Sequence, residues 1–162
     1  MLSKTGIPSK EQVKERFPKD IATLKKPKAI IECYEDIPCN PCETSCPFQA
    51  ITIGPDINQQ PWVDFDKCTG CTLCVTSCPG LAIIVCEVND DRALIKIPYE
   101  FLPRPLKGEV WHGVNRSGEV ICDVVIEQTL LSKRQDRTQL VSLSAPKELV
   151  YDVITIRRKH GS

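Results

Sequence analysis

The chain has 162 residues, a hydrophobic fraction of 41%, a charged fraction of 26% and a formal net charge of zero, the make-up of a soluble globular protein with one ordinary domain or two small ones. No apolar run approaches the roughly 18 residues of a membrane span, and the first residues lack the apolar stretch of a secretory signal. The ten cysteines are therefore expected as reduced thiols in the cytoplasm, not as a secreted disulfide framework. The zero net charge conceals an asymmetry. Residues 30–90 carry nine acids against one base, a net −8, whereas residues 1–29 carry +5 and residues 91–162 carry +3. Phosphates would be repelled by the middle segment, which argues against a nucleic-acid partner.

Residues 1–28 read as an N-terminal extension. Ser9-Lys10-Glu11-Gln12 is a capping box opening a short helix over about residues 10–16, stopped by Pro18. Val13 and Phe17 give it a narrow apolar face, so the extension is expected either to move as a surface arm or to dock on a partner. Residues 29–90 read as strand, cysteine loop, one helical turn and strand, twice over. The strands are Ala29-Ile30-Ile31, Ala50-Ile51-Thr52-Ile53, Trp62-Val63-Asp64-Phe65 and Ala82-Ile83-Ile84-Val85. In residues 91–162 the pattern becomes β: a strand at 93–97, a proline-stiffened connector at 102–108, a hairpin around Asn115-Arg116-Ser117-Gly118, and a strand at 138–143. Leu149, Val153 and Ile156 fall at i, i+4 and i+7, which predicts a closing helix from near Pro146. The expected class is α+β: a central cysteine module, an N-terminal extension, and a small antiparallel β subdomain with a short C-terminal helix.

The chemistry lies in the cysteine spacing. Cys68, Cys71, Cys74 and Cys78-Pro79 form C-x2-C-x2-C-x3-C-P, the run that surrounds a [4Fe–4S] cluster. Four thiols in eleven residues have to converge on something, and a soft anionic thiolate suits iron bound to sulfide. Cys39, Cys42 and Cys46-Pro47 repeat the run 32 residues upstream. Zinc fits poorly, because a tetrahedral site wants two separated knuckles. Gly70 permits a close backbone approach. At that offset Asp36 stands opposite Cys68, and Cys33 lies three residues earlier. Three outcomes follow for the first run: Cys33 completes it through a longer loop, Asp36 ligates through oxygen, or the site stays [3Fe–4S]. Cys33 is preferred, since it would otherwise be idle beside an incomplete site. Cys86 and Cys122 fall outside both runs and read as buried small hydrophobes. His112 reads as structural, with nothing nearby to complete an acid–base pair. No Gly-rich phosphate loop, dinucleotide fingerprint or nucleophile elbow occurs, so no catalytic site is expected on this chain.

Residues 29–90 resemble the bacterial two-[4Fe–4S] ferredoxins. That resemblance implies a pseudo-symmetric module in which the last cysteine of each run serves the other cluster. Cys33, Cys39, Cys42 and Cys78 would then hold cluster 1, and Cys68, Cys71, Cys74 and Cys46 cluster 2. Over nearly the full chain, three segments are similar to the small iron–sulfur subunits of multi-subunit FAD-dependent amino-acid dehydrogenases (proline, hydroxyproline or sarcosine type). They are Glu32–Cys42, Ile97-Pro98-Tyr99-Glu100-Phe101-Leu102-Pro103 and Gln135-Asp136-Arg137-Thr138. This implies an electron-transfer subunit with flavoprotein partners, FAD or FMN residing on those partners only. A free soluble ferredoxin serving several reductases is the alternative.

Overall fold

The computed structural model describes residues 2–160. A four-residue helix, α1 (Leu2–Thr5), precedes α2 (Lys10–Arg16). The capping box of α2 is formed: Gln12 N–H donates to Ser9 Oγ at 3.2 Å, and Ser9 N–H donates to Gln12 Oε1 at 2.9 Å. Phe17 turns extended before Pro18 and ends the helix. A 3₁₀ turn (Ile21–Lys25) follows. Val13, Phe17 and Leu24 are buried in the same core as Trp111, Val124 and Ile126. The extension is thus part of this chain's own packing, which corrects the expectation of a mobile arm or an arm docked elsewhere. Two apolar residues four apart looked too few for a buried face. Leu24, from the following turn, and the buried Arg16 make up the rest.

Along the chain come β1 (Lys28–Ile31), α3 (Pro41–Ser45), β2 (Ile51–Thr52), β3 (Trp62–Val63), α4 (Leu73–Ser77) and β4 (Ile83–Val88). Then follow β5 (Arg92–Tyr99), β6 (Val110–Val114), β7 (Val120–Leu130), β8 (Gln139–Pro146) and β9 (Thr155–Arg157). Seven strands form one antiparallel sheet in the order β1-β4-β5-β8-β7-β6-β9, while β2 and β3 pair separately. The leading strand of the first cysteine half therefore pairs with the trailing strand of the second, and the converse holds for β2 and β3. The three segments distinguished in the sequence describe order along the chain, with one sheet running through the second and third.

β1 and β4 are buried on both faces, which is why they read as unbroken apolar runs. Ile30, Ile84 and Cys86 face the large core. Ala29, Ile31, Ile83 and Val85 face a second core that contains Cys42, Cys68 and Cys74. The cysteine loops are thus seated on the far side of a sheet edge whose near side is already packed.

The closing helix predicted from Pro146 is absent. Lys147–Leu149 makes a single 3₁₀ turn, and Thr155–Arg157 becomes β9, pairing with β6 from His112↔Arg157 to Val114↔Thr155. The β-branched run Val153-Ile154-Thr155-Ile156 favours strand, and the open edge of β6 supplies the ladder. The helical spacing was a coincidence of burial: Val153 and Ile156 are buried, and Leu149 partly so against the same core, without a helix.

Candidate iron–sulfur site

Each cysteine run folds around one helical turn. Cys42 lies in α3 and Cys46 caps its C-terminus; Cys74 lies in α4 and Cys78 caps it. Pro41 starts α3, where a missing N–H costs nothing. After each cysteine–proline pair the chain makes the same turn. Gln49 and Leu81, 32 residues apart, both take φ of 52° although neither is glycine. That left-handed residue aims the next N–H back at sulfur: Ala50 N–H donates to Cys46 Sγ and Ala82 N–H to Cys78 Sγ, both at 3.4 Å. Ala29 N–H donates to Cys68 Sγ at 3.3 Å. Backbone strain of this kind persists where surrounding structure enforces it, and donors to cysteine sulfur tune an iron–sulfur centre. The matching left-handed residues were not anticipated, because neither carries the glycine that usually signals them.

Two cavities lie within these loops. One is lined by Cys33, Cys39, Cys42 and Cys78. The other is lined by Cys46, Cys68, Cys71 and Cys74. The structure therefore brings together the two sets of four thiols, with Cys46 and Cys78 each standing among the cysteines of the other run. Asp36 lies outside the lining of the first cavity, and its carboxylate accepts from Gln60 Nε2 at 3.2 Å. All ten cysteines are free thiols, and Cys86 and Cys122 are in neither cavity; Cys86 is wholly buried in the large core.

The donor set fits [4Fe–4S] clusters. Four sulfurs stand around the wall of each cavity, and among the described residues no three Cys, His, Asp or Glu side chains converge closely enough for one metal ion. Cysteine thiolates in this spacing are the ligands that a [4Fe–4S] cluster takes. Gly70, with φ of 70°, holds the second loop against the chain before β1: a Cβ there would meet the Pro27 carbonyl oxygen at 2.7 Å. The close approach expected at this glycine is thus to backbone.

Burial dominates the thiol acidities. It pushes Cys74 up to about 12, with the neighbouring Cys68, Cys71 and Cys46 thiols adding to the shift. It pushes Cys42 up to about 11, opposed by the Glu43 N–H and reinforced by Cys78 and Cys39. Cys33 is raised by burial and then by Cys78. In the metal-free chain these thiols keep their protons at neutral pH, so taking up metal displaces them. Each folded-state value lies above the ordinary value of 9.0, so the folded state binds protons more tightly. The stabilisation is complete below pH 9 and lost as pH rises through about 11 to 12. Melting of the metal-free protein is expected to hold level to pH 9 and fall above it; a rise over that window contradicts these environments.

One side chain departs from expectation outside this site. His112 does have an acidic neighbour: cross-strand pairing sets it opposite Asp123, Nδ1 to Oδ1 3.6 Å, and Lys159 holds the other carboxylate oxygen at 2.9 Å. The turn alone would set His112 opposite Cys122; a β-bulge between Gly113 and Val114 shifts the register by one residue and brings Asp123 there instead.

Among known proteins, residues 37–82 match the 4Fe-4S dicluster domain family. The match includes seven of the eight cavity cysteines and begins just beyond Cys33. The chain is 37% identical over 58 residues to the ferredoxin-type protein NapF of Haemophilus influenzae, covering 35% of this chain and 33% of that protein. It is 53% identical over 38 residues to a subunit of the Na(+)-translocating ferredoxin:NAD(+) oxidoreductase complex of Acetobacterium woodii, covering 24% of this chain and 11% of that relative. The matched stretch thus spans a third or less of either relative. No solved structure matches significantly. No helix among the described residues is long and apolar enough to cross a membrane. Residues 37–82, under a third of the chain, are thus similar to the 4Fe-4S dicluster domain, and the cysteines that line the two cavities carry that likeness.

Proposed function

We propose that the chain is an electron-transfer subunit carrying two [4Fe–4S] clusters, one held by Cys33, Cys39, Cys42 and Cys78 and the other by Cys46, Cys68, Cys71 and Cys74. The observation that supports this most is the pair of adjoining four-thiol cavities that exchange their last cysteines. The clusters, when bound, take up and release single electrons. This chain's residues hold them side by side, aim backbone N–H groups at their sulfurs and exclude water from all but their edges. Cys71 is exposed, which leaves one edge open to a redox partner. No bond need be made or broken on this polypeptide.

The partner we propose is a flavoprotein dehydrogenase subunit in a cytoplasmic complex. A reduced flavin yields two electrons, and two centres in series can accept them one at a time. Support comes from the connector after β5, an ordered loop with Phe101 71%, Leu102 79% and Leu106 63% exposed. Three large apolar side chains on one loop mark a binding surface. Arg104 and Lys107 on that loop, with Arg157 and Arg158 beside Leu102, suit an acidic rim on the partner. Two of the three segments that carry the dehydrogenase resemblance meet here: Thr138 Oγ1 donates to Glu100 Oε1 at 2.5 Å, and Gln135 Nε2 donates to the Thr138 carbonyl at 3.1 Å. Leu102→Glu should abolish co-purification with the flavoprotein while leaving iron content unchanged. Retention of the partner would place the docking surface elsewhere.

The free ferredoxin is the second reading, favoured by the exposure of Cys71 and of Phe48 and Leu73 around the second cavity. Isolation of the native protein without oxygen separates the two. About eight irons per chain with stoichiometric flavin supports the subunit; about eight irons without flavin or partner supports the free carrier. Zinc, or no metal, overturns both.

A further inference from the structure

Two cations are buried beside the cysteine loops with no carboxylate of the described residues within ion-pair distance. Arg16 is 6% exposed and Lys28 is 8% exposed. Lys28 Nζ donates to the carbonyl oxygens of Cys68 and Phe65, both at 2.7 Å. Arg16 donates to the carbonyl oxygens of Cys33 and Pro61, both at 2.8 Å, and to the Gln60 side chain. Its guanidinium lies 4.1 Å from the Trp62 ring centre and 5.1 Å from that of Tyr34. Each cation thus grips the backbone of one cysteine of a different set. Both come from the N-terminal segment of net +5 and reach into the segment of net −8. Among the described residues, neither forms an ion pair within 4.0 Å.

Carbonyl dipoles alone repay little of the cost of desolvating a full positive charge. The missing anion is available in the adjoining cavity. A [4Fe–4S] core with four thiolates carries about −2 when oxidised and about −3 when reduced. We propose that Lys28 and Arg16 are built-in counter-charges, Lys28 for the Cys46/Cys68/Cys71/Cys74 cluster and Arg16 for the Cys33/Cys39/Cys42/Cys78 cluster, each making its own centre easier to reduce. They act as positioning residues, since neither touches the cluster. The inference rests on the cluster reading above. One electron arriving from an external reductant adds one negative charge, and a fixed cation in a low-dielectric surround favours that product over the oxidised state. It also explains the charge asymmetry of the sequence: the basic N-terminal segment is the electrostatic complement of the acidic cluster module.

The test replaces charge while keeping a hydrogen-bond donor. Lys28→Gln and Arg16→Gln, loaded with iron and sulfide, are titrated with dithionite under EPR detection alongside the parent. Lys28→Gln should lower the reduction equilibrium of one centre about tenfold, 59 mV for a one-electron couple, and leave the other within twofold. Arg16→Gln should do the reverse, and Lys28→Arg should restore the parent value. Neutral variants with both equilibria within twofold of the parent overturn the proposal. Metal-free melting decides the case in which a variant fails to load. Without the clusters the buried ammonium has no anion to match, so metal-free Lys28→Gln should melt no lower than the metal-free parent. A fall of more than about 5 °C would mark Lys28 as a structural strut and overturn the proposal. A parent chain that takes up no iron would instead overturn the function reading itself, and it would show before any variant is made.

Discussion

Cys33→Ala and Cys78→Ala should lose the same iron–sulfur centre, although 45 residues separate them. Both thiols line one cavity with Cys39 and Cys42, and Cys78 is close enough to add to the upward push that burial gives the Cys33 pKa. Each substitution should take the iron content from about eight to about four per chain, with the surviving EPR signal the same in both variants. Cys46→Ala should empty the other site and leave the complementary signal. Asp36→Ala is the control: its carboxylate is directed to Gln60, so both centres should persist. Cys33→Ala with all its iron would remove Cys33 from the ligand set. About seven irons in the parent would instead point to a three-iron first site.

The convergence of the cysteine loops was legible because cysteine spacing constrains a chain so tightly. Residues such as Cys68, Cys71 and Cys74 on one loop leave almost no freedom in where their sulfurs point. The short strands flanking the loops were legible from their apolar runs. The capping box of α2 was legible as well, down to both of its hydrogen bonds. What escaped was whatever depends on distant neighbours. A helical spacing at Leu149, Val153 and Ile156 carries no record of the open edge of β6 that claims this segment as β9. The left-handed Gln49 and Leu81 carry no compositional mark, because the surrounding fold enforces their conformation. Nothing in the sequence sets Arg16 and Lys28 apart from the other bases of residues 1–29, and only the three-dimensional path of residues 10–28 under the cysteine loops buries them. Asp123 beside His112 escaped as well: counting from the turn sets Cys122 opposite His112, and only the β-bulge between Gly113 and Val114 moves the register to Asp123.

Arg116→Ala should cost about 3–5 kcal/mol, the loss expected on breaking a buried ion pair by removing one partner. Arg116 lies in the turn between β6 and β7, where Asn115 Oδ1 accepts from the Ser117 and Glu119 N–H groups and fixes the turn. From there its guanidinium grips Glu32 in two-pronged fashion, Nε to Oε2 at 2.7 Å, and also donates to the Tyr151 carbonyl. The side chains are 11% and 15% exposed, so solvent screens the pair little. Without Arg116 the Glu32 carboxylate is left partly desolvated and unmatched, next to the loop that carries Cys33. Urea unfolding of the metal-free protein should register the loss, and thermal melting should fall by about 6–20 °C for a chain of this size. The double variant Arg116→Met with Glu32→Met should regain much of the stability, because apolar groups of similar volume replace a desolvated pair at small cost. A pure packing role for Arg116 predicts instead that the two losses add. The loaded protein supplies a further discriminator: loosening Glu32 should labilise iron in the Cys33 cavity before iron in the other. Single substitutions costing under about 1 kcal/mol would show the pair to be an exposed surface contact, and the tie between hairpin and cysteine loop would then have to come from the sheet alone.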